Sequence, residues 1–391
     1  MRYELAGTSW GREEIDAIER VLREGRFTMG EHVSRFEDAF AAKMGVKHAV
    51  MANSGSSANL VGIAALFHAG PRPLQRGDEV IVPAISWATT FHPLQQYGLR
   101  LRFVDVELDT LNMDVSKLGA ALTPRTRMLM AVSILGNPAP LDVMRAFCDR
   151  HGLLFFEDNC ESMGATLGGK PCGTFGDVGT FSTFYSHHIS TMEGGLLVTD
   201  NTEVAHLARA IRNHGWARDL PPRRLPGADA SDDFFEAYRF IVPGYNVRPL
   251  EICGAVGLEQ LKKLDRIIEI RRANAAYFLE LFAGDERFTL QRENGRSSWF
   301  SFTLILHPAI DRARVMNAMR DAGIGFRMIT GGCFLRHEAA RYFDFDVVGD
   351  VRNADTAHDH GFFVGNHPRD LTAEITLLRK VLDEAAVKGL R

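Results

Sequence analysis

The stretch HAVMANSGSSANLVGIAALFHAG (48–70) changes period midway. HAVMA is an apolar run of strand length, and SSANLVGIAALFHAG carries apolar residues at helical spacing and ends on a glycine. NSG, between them, is turn chemistry. A strand that passes through a glycine turn into a helix opens a β/α unit, and the same cadence recurs downstream. EVIVPAI (79–85), LRFVDVE (101–107), RMLMAVSIL (127–135) and LLFFED (153–158) read as strands, with PLDVMRAFCDRHG (140–152) a helix between the last two. Strands rotating with helices imply right-handed crossovers and a mostly parallel sheet covered on both faces. The expected fold class is therefore α/β.

Beyond VPGYNVRPLEICGAV (242–256) the pattern changes to a long helix, LEQLKKLDRIIEIRRANAAYFLELFAG (258–284). A strand WFSFTLIL (299–306), a helix ARVMNAMRDAG (313–323) and a helical tail (371–390) follow. These pieces predict a large α/β domain over 1–248 and a smaller α+β domain over 249–391, as the length of 391 residues allows. RDLPPRRLPGADASDDF (218–234) is charged, proline-rich and aperiodic, a long loop of the kind that serves function.

The net charge of −4 gives no polycationic footprint, so small molecules are expected as partners rather than nucleic acid. The beginning lacks a signal-like apolar core and no apolar run is long enough for a bilayer, which predicts a cytoplasmic chain without membrane spans. Five scattered cysteines with no CxxC pair disfavour a disulfide framework, a zinc site or a locally encoded iron–sulfur cluster. No metal is expected.

Open α/β sheets bind ligands beyond the carboxyl ends of their strands. Four stations lie there. Gly55 and Ser56, at the start of a helix, suit a phosphate, although a serine there can also be a plain N-cap. Trp87 follows EVIVPAI and can cover a flat heteroaromatic ring or pack at the rim. Asp158 and Glu161 follow LLFFED; a carboxylate there can bond a protonated pyridine nitrogen or cap the next turn. Finally, Ser182 ends a strand in GDVGTFSTFYSHHISTMEGG (176–195), which places His187 and His188 before Glu193-Gly194-Gly195.

As a set, GSSANL, FFEDNCESMGA, FGDVGTFSTF and EGG, followed by RNHGW (212–216), GYNVRPLE (244–251) and QLKKLD (260–265), resemble the sugar aminotransferase family of fold type I pyridoxal phosphate enzymes, the DegT/DnrJ/EryC1/StrS family. The resemblance spans nearly the whole chain and implies an aspartate-aminotransferase-like fold. That family carries its Schiff-base lysine six residues before Glu-Gly-Gly, where this chain has His187. An imidazole cannot form the Schiff base.

A histidine there is similar to the pattern of the family's 4-keto-6-deoxy-sugar 3-dehydratases. The resemblance implies pyridoxal and pyridoxamine 5′-phosphate as cofactor, a nucleotide-sugar substrate, GDP-4-keto-6-deoxy-D-mannose being favoured, and L-glutamate as amino donor. It also implies a homodimer with shared active sites. His187 would be the catalytic base, with His188 a supporting neighbour. Gly55, Ser56 and Ser182 would hold the phosphate, completed by Asn246 across the dimer interface. Asp158 would meet the pyridine nitrogen, Trp87 would stack, and Glu161 would lie near the ring hydroxyl. His214, Arg218 and Arg327, with Arg223 and Arg224 of the loop, are candidates for the substrate. A CDP-sugar dehydrase coupled to a reductase, or an inactive aminotransferase-like binding protein, are the competing readings.

Overall fold

The computed structural model describes residues 3–220 and 238–387. The loop arginines Arg223 and Arg224 lie outside the described residues.

In chain order the elements are α1 (Arg12–Glu24), α2 (Glu31–Met44), β1 (His48–Ala52), α3 (Gly55–Leu66), β2 (Glu79–Pro83), α4 (Ala88–Gln96), β3 (Arg100–Val104), α5 (Leu118–Ala121), β4 (Thr126–Val132), α6 (Leu141–His151) and β5 (Leu154–Asp158). They continue with β6 (Thr166–Leu167), β7 (Lys170–Pro171), β8 (Val178–Ser182), β9 (Gly195–Thr199), α7 (Thr202–Ile211), α8 (Glu251–Phe282), β10 (Phe288–Leu290) and β11 (Ser301–Leu306). The last are α9 (Arg312–Asp321), β12 (Phe326–Arg327), β13 (Phe345–Val347), α10 (Arg352–His360), β14 (Gly361–Gly365) and α11 (Thr372–Ala385).

An eight-stranded sheet runs β1-β9-β8-β5-β4-β2-β3-β13. Only β9 opposes the rest, pairing antiparallel with β1 and β8, while the other pairs are parallel. The carboxyl ends of β1, β2, β5 and β8 therefore share one edge. Strands such as EVIVP and VGTFS are buried along their whole length, as parallel strands covered on both faces must be.

A second, antiparallel sheet runs β10-β11-β14-β12. The 32-residue α8 serves both sheets. Its start packs against α2, with Gly254 against the Val33 backbone and Gly257 against the Phe36 ring. Its end places Phe278 flat on Phe302 of β11, with ring centroids 4.7 Å apart. Several strands carry too little pattern to read from sequence: β6, β7 and β12 have two residues, β10 and β13 have three, and β14 sits directly behind a polar helix.

Gly179 shows how tightly the large sheet is closed. A Cβ there would lie 1.9 Å from the Gly173 carbonyl oxygen, a backbone atom that cannot yield alone. Gly179→Ala should destabilise the protein by on the order of 3 kcal/mol, read as a lower denaturation midpoint; an unchanged midpoint would show that the loop at 173 moves freely.

Among the described residues no helix is long and apolar enough to cross a membrane. All five cysteines are free; Cys160 is partly accessible and the other four are buried.

Candidate active site

The turn after β1 fixes the first wall. Ser54, not Ser56, is the N-cap of α3, its hydroxyl accepting from the Ser57 amide at 3.0 Å. The amides of Gly55 and Ser56 are left at the positive end of the helix, suited to an anion. Ser56 Oγ sits 2.7 Å from Thr89 Oγ1. Gly55 is required by contact rather than by φ: a Cβ there would meet Ser182 Cβ and Cys160 Sγ at 2.8 Å. The glycines of EGG have the same cause, since a Cβ on Gly195 would lie 2.4 Å from the Gly55 nitrogen. Strand ends far apart in sequence thus converge on one cradle containing Gly55, Ser56 and Ser182.

Asp158 is buried at the end of β5. Its Oδ2 accepts from Asn59 Nδ2 at 2.8 Å and from Thr90 Oγ1 at 2.7 Å. Thr180 Oγ1 in turn donates to Asn59 Oδ1 at 2.6 Å. Oδ1 receives the Cys160 amide, at 3.2 Å, and retains room for another donor. Such a braced carboxylate with one oxygen partly free suits a protonated ring nitrogen.

Glu161 Oε2 accepts from the Leu135 amide at 2.9 Å and from Thr330 Oγ1 at 3.3 Å. Both donors have left-handed backbones, Leu135 at φ 52° and the β-branched Thr330 at φ 40°. Strain of this kind persists where surrounding structure enforces it, often at functional sites. Burial, opposed by the Leu135 amide and reinforced by Asp158, pushes the Glu161 carboxyl up to about 7.

The two histidines occupy different environments. His188 is fully buried, with Nε2 3.2 Å from the Ser298 carbonyl oxygen. His187 is partly accessible, and its ring stands edge-on to Phe300 at 5.1 Å and to Phe184 at 5.9 Å. Burial of the ring atoms and the positive charge of Arg271 push His187 down to about 3. It is a neutral imidazole at pH 7.

Trp87 is 58% exposed at the N-cap of α4, just before the threonines that bond Ser56 and Asp158. Asn246 and His214 lie on paired segments that adjoin the end of β1. There the Asn213–Asn246 bridge and the bond from the His214 amide to Tyr245 O join 213–214 to 245–246, and the Asn53 amide bonds Val247 O. Both side chains are exposed. Arg218 is exposed over the Trp216 ring, and Arg327 is exposed three residues from Thr330.

Sequence reading misses Asn59, Thr90, Thr180, Leu135 and Thr330. Asn59 sits one helical turn beyond Gly55, the one positional signal among them; the others reach the site only through tertiary packing.

Comparison with known proteins extends this picture. The DegT/DnrJ/EryC1/StrS aminotransferase family matches residues 8–377. The GDP-4-keto-6-deoxy-D-mannose 3-dehydratase of Yersinia pseudotuberculosis is 48% identical over 386 residues, covering 98% of each chain. A crystal structure of GDP-4-keto-6-deoxymannose-3-dehydratase with a trapped PLP–glutamate geminal diamine is 48% identical and superposes with TM-score 0.95, covering 97% of this chain and all of that one. A variant of that dehydratase with bound GDP-perosamine matches with the same score, identity and coverage. By a family match over nearly its whole length, and by a fold and cradle that suit it, the chain belongs to the DegT/DnrJ/EryC1/StrS aminotransferase family.

Proposed function

We propose that this chain is a cytoplasmic 3-dehydratase of a nucleotide-linked 4-keto-6-deoxyhexose, using pyridoxal and pyridoxamine phosphate, with GDP-4-keto-6-deoxy-D-mannose as substrate and L-glutamate as amino donor. The observation that carries the reading is His187: a neutral imidazole, unable to attach the cofactor covalently, stands where the family carries its lysine. The names of the 48%-identical relatives support the substrate.

The cradle fits the cofactor. The amides of Gly55 and Ser56 with the hydroxyls of Ser56 and Ser182 would hold the phosphate, Asp158 Oδ1 would accept from the pyridine nitrogen, Trp87 would cover the ring, and Glu161 would face its hydroxyl. When bound, the cofactor supplies an amine that condenses with the C4 ketone and an electron sink beside it. His187 would accept a proton at Nε2, the ring nitrogen opposite its buried Nδ1, and return one as the C3 hydroxyl leaves as water. A phosphate held at the α3 N-terminus would favour the protonated ring and so raise the basicity of His187. Without a lysine to displace the product, it leaves by hydrolysis, as a 3-deoxy-4-keto sugar and ammonia.

Arg218, Arg327 and His214 are assigned to the sugar diphosphate, arginine's fork suiting phosphate oxygens. Asn246, exposed on its own chain, would complete the phosphate site of a second copy in a homodimer. Phe184, Tyr185 and Met192, exposed on the loop that carries His187, fit such an interface. A monomer in sedimentation equilibrium would remove this assignment. The substrate is tested by incubating the protein with glutamate, pyridoxal phosphate and GDP-, CDP- or dTDP-linked 4-keto-6-deoxyhexoses, then weighing the products. The GDP sugar is expected to be deoxygenated fastest; a faster CDP or dTDP sugar would refute the nucleotide.

A further inference from the structure

Arg271 is a buried cation without a counter-ion among the described residues. It lies on α8 and is 3% exposed. Nη1 donates to the carbonyl oxygens of Phe300, at 2.9 Å, and Asn366, at 2.5 Å, while Nε is buried without a partner. Burial alone lowers the guanidinium to about 9, with no carboxylate acting against it, so it is charged at neutral pH. Keeping a cation in this state costs stability that an apolar side chain of similar volume would not. Its surroundings give that cost a purpose.

Phe300, whose carbonyl Arg271 holds, places its ring against both imidazoles, 5.1 Å from His187 and 5.7 Å from His188. The charged groups acting on the pair are few. Arg271 of α8 acts on His187; Arg271 and Arg272 of α8, together with the His187 ring, act on His188. The Ser298 carbonyl alone favours a proton, and only on His188. No carboxylate among the described residues acts on either ring. Phe300 and Phe184 close the apolar sides of His187.

We propose that Arg271 is a positioning residue for His187: by gripping the Phe300 backbone it sets the aromatic wall against the imidazole, and its charge, added to burial, keeps that imidazole uncharged until substrate arrives. The proposal rests on the reading of His187 as the base. Neutral histidine at the lysine position needs an environment that refuses a proton before substrate arrives, and burial plus one uncompensated cation provides it.

The test is a proton titration of the full-length, cofactor-free protein labelled with 13C at histidine Cε1, the His187 signal being assigned by its loss in His187→Asn. In the parent, His187 is expected to stay neutral to below about pH 5, against an ordinary midpoint near 6.5. Arg271→Met should raise its midpoint by about one unit or more, a tenfold change in proton affinity. Arg271→Lys, which keeps the charge, should remain near the parent. A parent midpoint near 6.5, a folded methionine variant titrating like the parent, or a lysine variant titrating like methionine would overturn the proposal. If the methionine variant does not fold, the parent and lysine titrations still decide. No sugar is involved, so failure here is distinct from failure to dehydrate one.

Discussion

His187→Asn is expected to bind cofactor like the parent and to lose turnover by about 10²- to 10⁴-fold, the usual contribution of a positioned general base. The cofactor contacts assigned to Ser56, Ser182 and Asp158 do not involve this ring, so affinity and turnover should separate. His188→Asn should behave differently. It removes a buried ring bonded to the Ser298 carbonyl, so it should cost stability, on the order of 1 kcal/mol or more, while most turnover survives. Steady-state rates and thermal midpoints of both variants check this. An asparagine at 188 that abolishes turnover while 187 tolerates it would mean that the roles are reversed.

Asp158→Asn should weaken cofactor binding by about 10- to 100-fold, the scale of a lost charge-assisted hydrogen bond. Asn59 and Thr90 both donate to Oδ2, so the new amide must turn its oxygen toward them. Its NH₂ then faces the place of the protonated pyridine nitrogen, where two donors meet. Loss of the positive ring nitrogen also weakens the electron sink, so turnover should fall further than affinity. A fluorescence titration with pyridoxal phosphate, paired with turnover at saturating cofactor, separates the two effects. Unchanged affinity would place the ring nitrogen elsewhere.

What could be read from the sequence was local. Gly55, Ser56, Asp158 and Ser182 are each set by a strand running into a turn, and β/α alternation places their turns on one edge of the sheet. The brace around Asp158 was not legible: Asn59, Thr90 and Thr180 come from α3, α4 and β8, and nothing in their own neighbourhoods marks them. Arg271 reads as one more cation in an amphipathic helix, and only packing shows that it faces inward. His187 and His188 were separable by counting back from Glu193, but their environments were not. The irregular turn between Ser182 and Glu193 leaves one ring partly accessible and buries the other. β13 was hidden by its brevity; it joins the larger sheet by pairing with β3, far from it in sequence.

The central claim is that replacing lysine by histidine converts amino transfer into loss of the C3 hydroxyl. Its most direct measurement follows the fate of nitrogen: incubate the protein with GDP-4-keto-6-deoxy-D-mannose, pyridoxal phosphate and 15N-glutamate, and weigh the sugar while assaying 2-oxoglutarate and ammonia. The account predicts a product lighter by one oxygen atom and free of 15N, with one labelled ammonia released for each 2-oxoglutarate. A sugar that retains its C3 oxygen and carries 15N at C4, with no ammonia released, would contradict it.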